Sequence, residues 1–557
     1  MSYRTNFLIF DMNFTKPLIK RILRYRASGS TLTVSKESRP LMKWLATLGL
    51  LAVMAYALTV ALQPRFRPDQ IGPYVLIVLI VALGLGWRLF RRPNKAIWLV
   101  ALAALILIPA VAVARGFGRV DMIAMMFHAD FGMAGATIEG LETEFLQATL
   151  SALFLTLCFG LLAGLWAFGA RICLVFAALL IAVNPGFRSV AWATVMPAVS
   201  SDLMARYSEP TLKAQPTTTP DLVVIYLEGT DRHFADEAVW GDLYAPMREF
   251  EAEGISFTQV GQIEGTGWSL AGMVATQCGV PVLPKALTYR NNFDKLDAFM
   301  PNVDCLGDVM RRNGYELTYV VGGDLAFGGI DAFYRSHGFS RLIGMHEQEA
   351  IYGPEVIEAA KGGWVLDDQL VYETARAEAQ TLLQQEKPFL LVVETIGPHG
   401  RMGILSRRCN DGVSVTLSKD VNKVVSCLLE DTYSFVRDTQ AAHAKARPGK
   451  ELRIVILSDH LSHNPNRPEA AVAYQGANTA IFLGGGSAGR VVSKPGAMID
   501  IYPTILDWLD LTVAPHAAGL GRSLLRDDPT IVEVHGIGLF DRMLISDVPL
   551  SQKVWSE

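Results

Sequence analysis

The chain has 557 residues, of which 51% are hydrophobic, and a formal net charge of −4. Single domains usually run to about 100–200 residues, so this length excludes a one-domain protein. The near-neutral charge excludes a nucleic-acid binder working through a broad basic surface. The apolar excess sits almost wholly in residues 41–190, and the remainder reads as water-soluble α/β protein.

Residues 1–40 form a polar leader in which Lys16, Lys20, Arg21, Arg24 and Arg26 lie close together. The apolar run begins too late for a signal peptide and no small-residue cleavage site follows it. Five apolar segments then follow near 43–63, 71–90, 96–115, 144–167 and 170–190, each close to the roughly 20 residues a helix needs to span a bilayer. Together they define a transmembrane domain over 41–195. The fifth is interrupted by Asn184-Pro185-Gly186, the fourth and fifth make a tight hairpin near Arg171, and residues 116–143 have room for a helix on the membrane surface. Arg88, Arg91, Arg92 and Lys95 crowd one loop, whereas 64–70 and 116–143 are poorer in Lys and Arg. That bias keeps the leader inside and, after five crossings, delivers the rest of the chain outside.

A Pro/Thr-rich linker ends at residue 219, the whole connection covering 196–219. Beyond it, over 220–557, apolar runs at 221–228, 317–321, 389–394 and 453–459 suit strands buried on both faces of a mostly parallel sheet. Helical stretches at 242–253, 303–313, 368–386 and 428–446 alternate with them, which predicts a doubly wound α/β domain. Of the six cysteines, Cys158 and Cys173 lie in apolar runs, while Cys278, Cys305, Cys409 and Cys427 fall in this outer part. In an oxidising compartment four cysteines allow three pairings. Chain proximity favours Cys278–Cys305 with Cys409–Cys427; in a reducing one all four stay free.

In sheets of this kind ligands bind beyond the carboxyl ends of the strands. The first strand ends in Glu228, the second in a Gly-Gly-Asp324 turn, the third runs from Glu394 to His399, and the fourth ends in Asp459-His460 with His463 close behind. The Gly-rich stretch Gly265–Gly279 follows the first strand-helix unit and presents two hydroxyls, Thr266 and Ser269, at the start of a helix. A helix N-terminus favours phosphate. Glu, Asp, His and a hydroxyl oxygen make a shell for one divalent ion, Mn²⁺, Mg²⁺ or Zn²⁺. His399 then serves as acid/base or holds a substrate phosphate. Each of these residues also has an ordinary use, as a helix cap, a loop acid or a surface histidine, and their common position at strand ends is what weighs against it.

The residues that run Ile225-Tyr-Leu-Glu228, Gly265-Thr-Gly-Trp-Ser269-Leu-Ala-Gly-Met-Val-Ala-Thr-Gln-Cys278-Gly-Val-Pro281, Glu394-Thr-Ile-Gly-Pro-His399 and Leu457-Ser-Asp459-His460 resemble the alkaline phosphatase superfamily. Within it the chain is similar to the membrane-anchored sulfatase-like branch of lipoteichoic acid synthases and phosphoglycerol transferases. Cys305-Leu-Gly-Asp308, Tyr334-Arg-Ser-His-Gly-Phe339, Asp500-Ile-Tyr-Pro-Thr-Ile-Leu506 and Gly519-Leu-Gly-Arg-Ser523 extend the match. The resemblance implies Glu228, Ser269, Asp459 and His460 as metal ligands, with Mn²⁺ favoured, Ser269 as nucleophile and His399 on the substrate side; Asp324, His463 and Thr266 are further substrate-binding candidates. It implies a phosphatidylglycerol donor, a periplasmic glucan or other envelope glycan as acceptor, and an inner-membrane location. Two departures stand out. Relatives carry threonine where Ser269 stands, which keeps Thr266 open as a second nucleophile, and a basic residue where Ile330 stands. A phosphoethanolamine transferase and a non-catalytic glycan-binding protein are the alternatives. A sulfatase needs Cys/Ser-x-Pro-x-Arg, and Ser269-Leu-Ala-Gly-Met273 lacks both Pro and Arg.

Overall fold

The computed structural model describes residues 39–63, 68–86, 94–117, 142–188, 199–214, 218–283, 298–464, 468, 476–486 and 488–555. The basic leader up to residue 38, most of the basic loop 88–95 and the 118–141 stretch expected on the membrane surface lie outside these residues. The chain divides into two compact units, one of apolar helices and one of α/β structure.

The apolar unit is built from α1 (Arg39–Leu62), α2 (Pro68–Gly86), α3 (Ile97–Phe117), α4 (Glu142–Trp166) and α5 (Ala170–Val183). Small residues let α1 and α2 approach: a Cβ on Gly49 would lie 2.9 Å from the Cβ of Ala82. Leu48, Leu51, Leu102, Leu105 and Leu153 remain exposed, the outward apolar surface that lipid would cover. Among the described residues three helices are long and apolar enough to cross a membrane, over Arg39–Leu62, Ile97–Gly116 and Glu142–Trp166. All five expected segments contain a helix, and these three meet that length and composition within the described residues. The helix before Asn184 has 14 residues, or about 21 Å at about 1.5 Å per residue, against a hydrocarbon core of about 30 Å. The Asn-Pro-Gly interruption ends it there. The second expected span keeps an apolar stretch of only Ile71–Gly86 within the described residues. The fourth and fifth helices do form the tight hairpin, with Ala167–Gly169 between them.

The α/β unit centres on eight strands. In chain order they are β1 (Asp221–Leu227), β2 (Ile255–Phe257), β3 (Glu316–Val321), β4 (Arg341–Ile343), β7 (Phe389–Glu394), β8 (Leu452–Ser458), β9 (Ala480–Leu483) and β10 (Arg490–Val492); β5 (Lys361–Gly362) and β6 (Val365–Leu366) form a separate hairpin. The sheet order is β10-β2-β9-β8-β1-β7-β3-β4. The block β8-β1-β7-β3-β4 is parallel, and β9 runs antiparallel to both β8 and β2. The sheet is therefore mixed and mostly parallel.

Burial alternates along β1 with period two. Leu222, Val224 and Tyr226 enter one hydrophobic core, and Val223, Ile225 and Leu227 enter the other. Both faces are covered, so the strand reads as one unbroken apolar run. On the first face lie α7 (Ser269–Cys278) and α11 (Ile501–Trp508); on the second lie α6 (Ala245–Glu253), α9 (Asp368–Leu383) and α10 (Val421–Ala446). Helices α6, α9 and α10, with α8 (Leu306–Arg312), account for the four helical stretches read from sequence. Gly272 lets α7 sit directly on the chain after β8: a Cβ there would lie 1.7 Å from the carbonyl oxygen of Asp459.

Residues expected to form a free linker are partly attached to this unit. Ser208 exchanges backbone hydrogen bonds with Gly519 (2.9 and 2.8 Å), and Lys213 N–H donates to Leu511 (2.8 Å). Cys278–Cys305 and Cys409–Cys427 are both bridged. The first ties the end of α7 to the start of α8.

Candidate active site

Strand register assembles the site. Tyr226 pairs with Glu394 and Leu227 with Ser458, so the next residues, Glu228 and Asp459, leave adjacent strands side by side. Glu228 is 3% exposed and Asp459 is fully buried. Glu228 N–H donates to Thr395 Oγ1 (3.1 Å), which itself donates to the Tyr226 carbonyl (3.0 Å). Asp459 Oδ1 accepts from Gly229 N–H and His460 N–H, both at 2.8 Å.

Its second oxygen behaves differently. Asp459 Oδ2 is buried and receives no hydrogen bond. It lies 3.3 Å from His460 Nε2, which is also 3.4 Å from Glu228 Oε1. The other nitrogen of His460, Nδ1, donates to the Leu461 carbonyl (2.9 Å). That bond fixes the tautomer and turns an Nε2 lone pair toward two carboxylates. Such an arrangement is repulsive unless a cation, a proton or a metal ion, lies between them. One ligand atom from each of Glu228, Asp459 and His460 lies within 4.8 Å of the others. Buried carboxylate, orphan oxygen and oriented imidazole fit one divalent ion.

Ser269 is the first residue of α7, and its Oγ donates to Glu228 Oε2 (3.2 Å). Thr266 has a local use instead. Its hydroxyl donates to the Ile263 carbonyl (2.7 Å) and accepts from Ile263 N–H (3.1 Å), so it is spent within the turn. On the other side of Glu228, His399 Nδ1 lies 3.1 Å from Oε1 and the ring is part-exposed. His463 stacks on His460 with centroids 4.4 Å apart. Asp324 has other partners, accepting from Ala326 N–H (2.9 Å) and facing His346 at 3.3 Å. Ile330 is buried in the core beside α7's face of the sheet.

The electrostatics reflect this crowding. Burial opposes charge on Glu228, yet His399 and His460 hold its carboxyl well below the usual carboxylate range. Burial and then the charge of Glu228 push Asp459 up to about 7. Burial works to lower His460, but Asp459 and Glu228 prevail and raise it to about 10. Glu394, buried and bonded by Tyr319 Oη, is pushed up to about 8, chiefly by burial. In the absence of a metal ion, protons neutralise the cluster.

Two supporting residues escape a motif reading: Trp364, whose ring meets that of His399 at a steep angle with centroids 5.5 Å apart, and Asp368, whose carboxylate accepts from the backbone just before His399. Trp364 sits in a Gly-Gly-Trp turn, a signal for a hairpin and not for a site.

The chain is similar to several known proteins. Phosphoglycerol transferase I of Xanthomonas euvesicatoria pv. vesicatoria is 31% identical over 316 residues, 56% of this chain and 44% of the relative. Phosphoglycerol transferase I of an Escherichia coli O6:K15:H31 strain is 31% identical over 333 residues, 58% of this chain and 41% of the relative. The match thus spans less than half the length of these curated relatives. The crystal structure of a lipoteichoic acid synthase from Listeria monocytogenes is 15% identical, covering 57% of this chain and 79% of that one with a TM-score of 0.42. The sulfatase family pattern matches residues 220–511, more than half of the sequence. The chain is a membrane-anchored, sulfatase-like enzyme and belongs to the sulfatase family.

Proposed function

We propose that the protein is a phosphoglycerol transferase that takes phosphoglycerol from phosphatidylglycerol and passes it to a hydroxyl of a periplasmic glucan or another envelope glycan. The observation that carries this reading is the Ser269 hydroxyl, set at a helix start and directed onto Glu228 within the buried carboxylate–histidine cluster. Glu228, Asp459, His460 and Ser269 would hold one divalent ion, and the mixed oxygen/nitrogen set favours Mn²⁺, with Mg²⁺ or Zn²⁺ also compatible. When bound, such an ion lowers the pKa of a hydroxyl and offsets charge on a transferring phosphoryl group.

The chain's own residues supply the rest. Glu228 Oε2 orients the Ser269 hydroxyl. The N-terminus of α7 contributes N–H groups and a positive dipole end for phosphate oxygens. Ser269 Oγ forms a bond to phosphorus as the bond to the diacylglycerol oxygen breaks, and the proton leaving Ser269 is balanced by one delivered to diacylglycerol. An acceptor hydroxyl then attacks the phosphoserine, its proton leaves, and Ser269 Oγ is reprotonated. His399, part-exposed beside Glu228, is the group on hand for these transfers.

Three further facts support the reading. The curated relatives carry the name phosphoglycerol transferase I. The Ser269 segment lacks the Pro and Arg of sulfate-ester enzymes. Two disulfides suit an oxidising compartment, and with an odd number of crossings the α/β unit would lie on the side opposite the basic leader.

The test uses the full chain in phosphatidylglycerol vesicles with Mn²⁺, reading diacylglycerol release. Ser269→Ala should lose at least about 1,000-fold in kcat, while Thr266→Ala retains turnover. Full turnover by Ser269→Ala, or consumption of phosphatidylethanolamine in place of phosphatidylglycerol, would overturn the assignment.

A further inference from the structure

The segment after β7 carries His399, and its backbone is held by a carboxylate from another element. Asp368, the first residue of α9, is 2% exposed. Its Oδ1 accepts from Ile396 N–H (2.7 Å) and its Oδ2 from Gly397 N–H (2.9 Å). The fit is close: a Cβ on Gly397 would lie 2.4 Å from Asp368 Oδ2.

Helix capping does not account for this residue. The preceding acid, Asp367, caps α9 by accepting from Leu370 N–H (3.1 Å), and its other oxygen takes Arg407 N–H and Nε (3.1 and 3.0 Å). Of the two adjacent acids, one therefore serves the helix and Arg407 and the other serves the loop. Among the described residues no cation pairs with Asp368. A buried carboxylate is costly unless its hydrogen bonds are made. Here both go to successive N–H groups of the same loop.

Two residues beyond that anchored pair the loop enters the candidate site. His399 N–H donates back to the Ile396 carbonyl (3.0 Å), closing a turn on the anchored residues. The His399 ring is then held between Glu228 Oε1 at 3.1 Å and the ring of Trp364. Before the anchor, Thr395 receives the N–H of Glu228. The stretch from Glu394 to His399 is pinned on both sides of its Gly-Pro.

The geometry points to Asp368 as the positioning residue for His399, with Trp364 as the buttress of its ring. The inference rests on the reading of His399 as the residue facing substrate. Positioning errors near 1 Å can cost about 100-fold in rate.

The experiment measures kcat and KM of the full chain on bis(4-nitrophenyl) phosphate, a phosphodiester independent of the natural donor, together with Mn²⁺ affinity by calorimetry. Asp368→Asn keeps one acceptor and sets an NH₂ against the second N–H; Asp368→Ala keeps neither. Gly397→Ala pushes the loop away from Asp368 without substituting any residue of α9, and decides the matter should the Asp368 variants fail to fold. We expect kcat to fall about tenfold in Asp368→Asn and about 100-fold in Asp368→Ala and Gly397→Ala. KM and Mn²⁺ affinity should stay within about twofold. An unchanged kcat while His399→Ala is inactive overturns the proposal, as does Mn²⁺ affinity falling in step with kcat. Full activity of His399→Ala overturns the reading beneath it.

Discussion

Strand β1 has a buried carboxylate at each end, and the two ends are neutralised in opposite ways. At the start, Asp221 is fully buried and meets Arg447 Nη1 at 2.8 and 2.7 Å, Lys450 Nζ at 2.9 Å and His443 Nε2 at 3.0 Å. Its Oδ1 also accepts from Phe389 N–H. One anion faces two permanent cations and a histidine, all supplied by α10 and the turn after it. Beyond the other end, Glu228, Asp459 and Glu394 crowd together. Among the described residues no lysine or arginine pairs with any of the three, and the basic side chains that approach are His460 and His399. A buried charge is tolerable when it is compensated. The chain compensates Asp221 by itself, whereas the C-terminal cluster is left for a cation from outside. That difference separates an ion cluster serving the fold from one arranged for chemistry.

Substitution at each end breaks or sharpens the contrast. The largest effect is expected at the C-terminal end: Asp459→Asn and Glu228→Gln should lose Mn²⁺ binding and at least about 1,000-fold in activity. Asp459→Asn should leave the metal-free protein as stable as before or more so, because burial and the charge of Glu228 both oppose its ionisation. Calorimetric titration with Mn²⁺ and urea unfolding of the metal-free protein read both quantities. Asp221→Asn should do the reverse. Stranding Arg447 and Lys450 beside a neutral amide costs about 3–5 kcal/mol, seen in urea unfolding, with Mn²⁺ affinity unchanged. If both ends respond alike in stability, the contrast is wrong.

The two ends were unequally legible in the sequence. Glu228, Glu394 and Asp459 each close an apolar run, so strand ends and site emerged from one pattern. The central parallel block is carried by the same signal. The antiparallel side is not: Ile255–Phe257 is three residues long and follows a helix directly, and Ala480–Leu483 lies in a Gly-rich stretch. Each acquires strand form from its neighbours in the sheet and not from a period of its own. Asp221 passed as an ordinary strand residue, because its basic partners lie more than 200 positions away. Asp368 was hidden by Asp367, since two acids before a helical run read as capping. Asn184-Pro185-Gly186 was legible as a break in the last apolar run, and the helix before it ends at Val183.

A smaller effect separates the ends by sign. Burial works against Asp221, but His443, Lys450 and Arg447 hold its carboxyl below the ordinary value, which is about 3.9 in an unfolded chain. Between the two values the unfolded state binds more protons. This end therefore contributes stability that is present above about pH 4 and lost as pH falls through the folded value. At the other end Asp459 is raised to about 7 and Glu394 to about 8, chiefly by burial. There the folded, metal-free protein keeps protons that the unfolded chain has released from about pH 4 upward. The stabilising share of Asp459 and Glu394 is complete below about pH 4 and declines as pH rises toward 7 and 8. Mn²⁺ replaces those protons and should remove the decline. Thermal midpoints from pH 4 to 9, with EDTA or Mn²⁺, test this through the difference between wild type and Asp459→Asn. With EDTA the wild type should lose ground to the variant as pH rises through 7, and with Mn²⁺ it should gain. A wild-type advantage that grows with pH in EDTA would mean that the chain already neutralises this cluster, and the case for a metal at Glu228, Asp459 and His460 would fall with it.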